Sequence, residues 1–237
     1  MRPLVQVESA SLSFWRGPRA IEVLREVSLE LHAGEFGGIW GRRGAGKTTL
    51  ARIVAGVQAP DAGRVLFDGR ELRDPDRDGE LMAQIGLASR RGPDFEHMDA
   101  LTWIMSTLVH LSPWRTAQRR ARAALDRVGI GDVASMPWDH MSDGERMLAA
   151  IAQAIARGPR LVIVDDPVAG FGDQDRAEVM DLLRDIAADG VAVLMTAAEL
   201  SELHGADQIW ALDRGRLDGP PPRPMGAVVH LRASGGD

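Results

Sequence analysis

Apolar and polar residues alternate along "LVQVESASLSF" (4–14) and "VLREVSLEL" (23–31), a period of two that predicts strands. "FGGIW" (36–40) is a short apolar run into glycine, as expected of a buried strand. Residues 47–56, "KTTLARIVAG", then predict a helix closed by Gly56. "GRVLFDG" (63–69) is another strand with turn chemistry at both ends. From about Gly92 to His140 the period changes. "ALTWIMSTLVHL" sets Leu101, Ile104, Met105 and Leu108 at helical spacing, and "RTAQRRARAALDRVGI" predicts a second helix with an arginine-rich face. The alternating pattern resumes with a helix near 144–157, the strand "LVIVDD" (161–166), a helix near 174–189 and the strand "VAVLMT" (191–196). The proline-rich stretch "DGPPPRPMG" ends the pattern, and the residues beyond it are expected to be loosely held. Strands alternating with helices around a helical insert predict an α/β fold with a mixed, largely parallel sheet.

Composition narrows the picture. A length of 237 residues with 45% hydrophobic and 26% charged residues suits a soluble globular chain with an ample core. The chain has no cysteine, which excludes disulfides and thiolate metal sites. A net charge of -6 argues against a general nucleic-acid binder, so no nucleic-acid partner is expected. No apolar run approaches the roughly 18 residues needed to span a bilayer, and "MRPLVQVESA" is no secretory signal. The expected place is the cytoplasm, with another chain doing any membrane crossing.

The strongest chemical signal is "GRRGAGKTTL" (41–50). Gly41, Gly46, Lys47 and Thr48 satisfy G-x-x-x-x-G-K-[ST], after a strand and before a helix, which is the context a phosphate loop needs. Gly41, Gly44 and Gly46 allow successive amides to turn inward toward phosphate oxygens, and Ala45 and Thr49 are counted with them as residues that bind the nucleotide. The positive end of the next helix faces the same anion. Lys47 is the only lysine among 28 basic residues. Its compact ammonium reaches terminal phosphates inside a tight loop, where the broad guanidinium fork fits poorly. Thr48 offers a hydroxyl for Mg2+. The site is expected to bind a nucleoside triphosphate.

Over roughly residues 4–218 the chain resembles the nucleotide-binding subunits of ATP-binding cassette (ABC) transporters. "LVIVDDP" (161–167) resembles the Walker B strand, "HMSDGERMLAAIAQAIARGP" (140–159) the signature segment and its helix, "QIGLASRR" (84–91) the strand into the Q-loop, and "VAVLMTAAE" (191–199) the strand ending in the switch histidine. The resemblance implies a P-loop NTPase core with a mixed sheet, an inserted all-helical subdomain at about 92–157 and an N-terminal antiparallel β portion. It makes residues 1–218 one nucleotide-binding domain and 219–237 a Pro-rich tail. It implies ATP and Mg2+ as ligands, with Asp165 as the magnesium-side carboxylate and Phe14 or Trp15 stacking on adenine.

In the family two subunits sandwich two ATP molecules, each between one chain's phosphate loop and the other's signature segment. Here several positions depart from the pattern. Asp166 stands where glutamate polarises the attacking water, Ala197 at the switch histidine, Arg90 at about the Q-loop glutamine, and Gly172 at the D-loop aspartate. "MSDGE" (141–145) stands for "LSGGQ": Ser142 and Gly144 remain to meet a partner's γ-phosphate, while Asp143 and Glu145 add charge. Asp143 either faces that phosphate or turns outward to cap the helix. The expected activity is slow or partner-dependent ATP hydrolysis, with Lys47 and Asp166 as the catalytic residues. The expected partners are an integral membrane permease and a homologous ATPase subunit, a heterodimer being favoured over a homodimer. The expected location is the cytoplasmic face of the membrane. The alternative is an ATP-gated regulatory or structural cassette with little hydrolysis.

Trp103, Trp114 and Trp138 lie in the helical region, as core residues or as part of a docking groove. "FEHMDALTWI" (95–104) and "DGELMAQIG" (78–86) are similar to the branch that includes lipoprotein-release, macrolide-export and cell-division-associated cassettes.

Overall fold

The computed structural model describes residues 2–73, 78–90, 92–93, 97–168 and 171–219. Arg91, Phe95, Glu96 and the tail beyond Gly219 lie outside the described residues.

The chain opens with β1 (Val5–Arg16) and β2 (Arg19–Leu31), a long antiparallel hairpin, followed by β3 (Phe36–Trp40) and α1 (Lys47–Val54). Next come β4 (Ala62–Phe67), β5 (Arg70–Glu71), the one-turn α2 (Gly79–Met82) and β6 (Ile85–Ala88). Asp68 and Gly69 join β4 to β5 with φ of 51° and 69°, the two left-handed residues of a tight hairpin turn. Three helices, α3 (Ala100–Leu108), α4 (Trp114–Arg127) and α5 (Asp143–Ile155), separate β6 from β7 (Leu161–Asp165). The chain continues through α6 (Asp173–Ala188), β8 (Ala192–Ala197), β9 (Gln208–Asp213) and β10 (Arg216–Asp218).

The strands form two sheets. One is antiparallel, in the order β2-β1-β4-β5. The other runs β10-β9-β3-β8-β7-β6, parallel except for β10, which turns back on β9. The mixed sheet and the separate antiparallel portion are both as expected. The last two strands go beyond the sequence reading, because "QIWALD" is as short an apolar run as many loops contain.

Alternation places the six-stranded sheet between two cores. Val162, Val164, Val193 and Met195 face α3–α6, while Leu161, Ile163, Ala192 and Leu194 face α1 and the antiparallel sheet. The paired glycines of β3 follow from that packing. A Cβ on Gly37 would lie 2.8 Å from the Trp210 ring, and one on Gly38 would lie 2.7 Å from Leu203. α1 ends two residues earlier than expected, with Ala55 as its C-cap and Gly56 (φ 72°) making the left-handed exit. The tryptophans of the helical region divide. Trp103 and Trp138 pack edge-to-face with centroids 5.0 Å apart in the core, whereas Trp114 is 63% exposed.

Candidate functional site

The parallel strands β3, β7 and β8 end side by side, and the loops leaving them build the site. This is the carboxyl edge of a parallel sheet, where α/β folds place ligands. From Trp40 the chain enters the loop 41–46. Gly41 donates its N–H to the Ala197 carbonyl at 3.2 Å, and a Cβ there would lie 2.5 Å from the Leu212 carbonyl oxygen. Gly46, with φ 106°, is the N-cap of α1 and leaves the helix's first amides without a side-chain cap. The first turn of α1 holds no acidic residue. An uncapped helix start free of carboxylates keeps its positive end available to an anion.

Lys47 is buried, and its ammonium donates to the Gly41 carbonyl at 2.6 Å and the Arg42 carbonyl at 3.3 Å. These carbonyls hold the cation under the loop, where it meets whatever the loop encloses. A cleft of about 330 Å³ opens over it, lined by Phe14, Gly44, Gly46, Lys47, Thr48, Thr49, Asp165 and Asp166 together with Val23 and Arg43. Ala45 packs behind the loop against the core. Phe14 and Trp15 are consecutive on β1 and so face opposite ways. Phe14 lines the cleft, while Trp15 is 76% exposed and does not, so the structure separates the two candidate stacking residues.

The two carboxylates at the end of β7 are organised by a residue that sequence reasoning does not find. Thr196 of β8 is fully buried, and its hydroxyl donates to Asp165 Oδ1 at 2.6 Å. The Thr196 hydroxyl oxygen in turn accepts the Asp166 N–H at 3.0 Å, an amide that also reaches the Thr196 carbonyl at 3.2 Å. Asp166 has φ 54°, a left-handed conformation that aspartate tolerates better than most side chains. Its Oδ1 is buried and without a hydrogen-bond partner among the described residues. An orphaned buried oxygen in the same cleft as the Asp165 carboxylate and the Thr48 hydroxyl suits a hydrated Mg2+, which takes hard oxygen ligands and keeps several waters. Ala197, the next residue on β8, is fully buried and presents only a methyl group.

The remaining positions lie elsewhere. Arg90 is exposed and does not line the cleft, although Ser89 borders an adjoining cavity of about 290 Å³ that shares Thr48 and Asp165. Gly172 is the N-cap of α6 and supplies no side-chain cap. Ser142 and Gly144 border a separate cleft of about 340 Å³, with Asp143, Glu145, Phe171, Asp175 and Glu178. Ser142 caps α5 in a reciprocal capping box. Glu145 N–H donates to Ser142 Oγ at 3.2 Å, and Ser142 N–H donates to Glu145 Oε2 at 2.7 Å. The Ser142 hydroxyl also donates to Glu145 Oε2 at 2.8 Å. Asp143 turns outward, as one reading expected, but it does not cap the helix. Its side chain is 78% exposed and lies 3.6 Å from Arg146.

Comparison with known proteins bears on the whole arrangement. Residues 24–169 match the ABC transporter family. A methionine import ATP-binding protein of Nocardia farcinica is 33% identical over 91% of this chain and 66% of its own length. A macrolide export ATP-binding/permease protein of Nitrobacter winogradskyi is 29% identical over 98% of this chain and 38% of its own. The chain thus spans just under two thirds of the first relative and less than half of the second. Among solved structures, a dimeric ATP-binding cassette in a post-hydrolysis state with ADP and Pi superposes with a TM-score of 0.83. It shares 23% identity and covers 90% of this chain and 96% of its own. Importers and an exporter match at similar identity, so the likeness to the macrolide-export branch is one among several.

Proposed function

This chain belongs to the ABC transporter family, and from that premise we propose that it is the ATP-binding subunit of a membrane transporter, slow to hydrolyse ATP in its own site. One juxtaposition carries the reading. A single cleft joins the Lys47 ammonium, the uncapped start of α1, the Thr48 hydroxyl and the Asp165–Asp166 pair, while the neighbouring Ala197 offers only a methyl.

The loop amides and Lys47 hold the β- and γ-phosphates, and Phe14 stacks on the adenine. Thr48 and Asp165 are the residues that would hold Mg2+, which neutralises phosphate charge when bound. Thr196 fixes Asp165 and the Asp166 backbone in one orientation. Asp166 accepts a proton from water as that oxygen bonds to the γ-phosphorus, and the bond to the β-phosphate oxygen breaks to leave ADP. Aspartate is one methylene shorter than the glutamate of the family pattern, and a displacement of about 1 Å costs on the order of a hundredfold in rate. Ala197 adds no charge to the transition state. Binding therefore survives where turnover does not.

On this reading the Ser142–Gly144 segment completes the site of a homologous ATPase subunit with better-preserved residues, favouring a heterodimer. A permease subunit places the pair at the cytoplasmic face of the membrane. Gentle detergent extraction and identification of co-purifying chains tests the assembly. A permease with a second cassette is the expected result. Recovery with no membrane protein overturns the transporter role and favours an ATP-gated cassette.

A further inference from the structure

Helix α4 departs from the charge of the molecule that carries it. It holds Arg115, Arg119, Arg120, Arg122 and Arg127 against Asp126 alone, a net +4 in a chain of net -6, so the remaining residues carry -10. Ala117, Ala121, Ala124 and Leu125 form its buried stripe, and all five arginines lie outside it and are exposed. Arg127 pairs with Asp189. Among the described residues Arg127 is the one α4 arginine with an ion pair, and Arg115, Arg119, Arg120 and Arg122 have none. Arg115, Arg119 and Arg122 follow at four and three residues, which stacks them on one flank. Like charges at that spacing destabilise an isolated helix by a few tenths of a kcal/mol per pair. The arrangement is one that an external anion would relieve.

A second feature stands at the same place. Trp114 begins α4 and is 63% exposed, and Leu111 just before it is 56% exposed. Trp114 directly precedes Arg115, so the exposed indole stands at the N-terminal end of the arginine row, about a quarter turn round the helix from it. An indole beside arginines also suits stacking on unpaired bases, but a leucine adds nothing to that contact. An indole and a leucine beside a row of arginines do match the boundary of a bilayer, which has phosphates above and hydrocarbon just below. The acidic remainder of the chain repels a polyanion long enough to wrap it, whereas a planar surface meets this face alone.

We infer that the outward flank of α4 docks on an anionic lipid surface, with Arg115, Arg119 and Arg122 meeting headgroup phosphates and Trp114 and Leu111 entering the interface. The contact is made by residues of this chain alone, so the purified chain tests it directly. Co-sedimentation compares vesicles of phosphatidylcholine alone with vesicles also containing phosphatidylglycerol. The chain is expected to partition onto the anionic vesicles and to leave them as salt is raised. Replacing Arg115, Arg119 and Arg122 together by glutamine is expected to weaken partitioning on the order of a hundredfold, about fivefold per arginine. Trp114→Ala weakens it by a smaller factor that salt does not change. These positions are solvent-facing, so unchanged thermal unfolding accompanies the loss. Equal partitioning onto neutral and anionic vesicles overturns the inference, as does anionic binding that survives the triple replacement. Displacement from anionic vesicles by a short DNA duplex at equal phosphate concentration also overturns it, and assigns the face to polyanions in general.

Discussion

Helices α1 and α5 both begin beside a cleft, and they treat their first amides in opposite ways. At α1 the N-cap is Gly46, the first turn holds no carboxylate and no side chain caps the amides. At α5 the N-cap is Ser142, the first turn carries Asp143 and Glu145, and Glu145 folds back to close a capping box. The α1 start leaves a positive end for a ligand, whereas the α5 start has already taken up a negative charge of its own. A helix N-terminus is therefore not an anion site by default, because the side chains of its first turn decide which role it takes.

The largest effect that would break this contrast is at Lys47. Replacing it by alanine removes a buried cation from the α1 cleft, and Mg-ATP affinity is expected to fall on the order of a hundredfold, read by calorimetry. Lys47→Arg is expected to lose most of the binding too, because the guanidinium fork does not fit the place the loop carbonyls hold. Unchanged affinity in both variants would mean that the α1 cleft does not hold phosphate through Lys47.

Next in size is Thr196→Val, which takes away the donor to Asp165 and the better of the two acceptors of the Asp166 N–H. Denaturant unfolding is expected to show a loss of about 1–3 kcal/mol, recovered by Thr196→Ser. The hydroxyl is then part of what shapes the α1 cleft, whose other parts come from the loop itself.

Smaller effects belong to α5. Ser142→Ala should cost about 1 kcal/mol of stability by removing the cap. Glu145→Gln keeps both capping hydrogen bonds but removes the charge, so stability should drop by only about 0.3–1 kcal/mol. ATP-dependent self-association, read by light scattering, should rise in the same variant as the cleft becomes less repellent to phosphate. A fall in association would mean that the carboxylate aids the contact.

Much of the α1 side is legible in the chain. The loop glycines, Lys47 and Thr48 sit in a row, and the strand before and helix after them are strongly patterned. Asp165 and Asp166 end an unmistakable apolar run. The cleft brings Phe14 to these residues, but the choice between Phe14 and Trp15 needs the pleat of β1, since strand register decides which of two neighbours faces inward. Thr196 is not legible. It lies within an apolar run, and its two partners lie at the end of another strand, so only the parallel pairing of β7 with β8 reveals it. At α5 the spacing Ser142-x-x-Glu145 contains its own capping box, a signal hidden behind the family pattern of the signature segment. Strands β9 and β10 escape sequence reading because a few residues of edge hairpin carry little periodicity.

The central claim is that the α1 cleft binds nucleotide while its chemistry is held back by Asp166 and Ala197. Single-turnover hydrolysis of bound ATP by the purified chain, set beside the double variant Asp166→Glu/Ala197→His, tests it most directly. The account predicts that the wild-type chain binds Mg-ATP and releases phosphate slowly, and that the double variant is faster by at least about tenfold with affinity unchanged. Rapid turnover in the wild-type chain, or no gain in the variant despite intact binding, would contradict it.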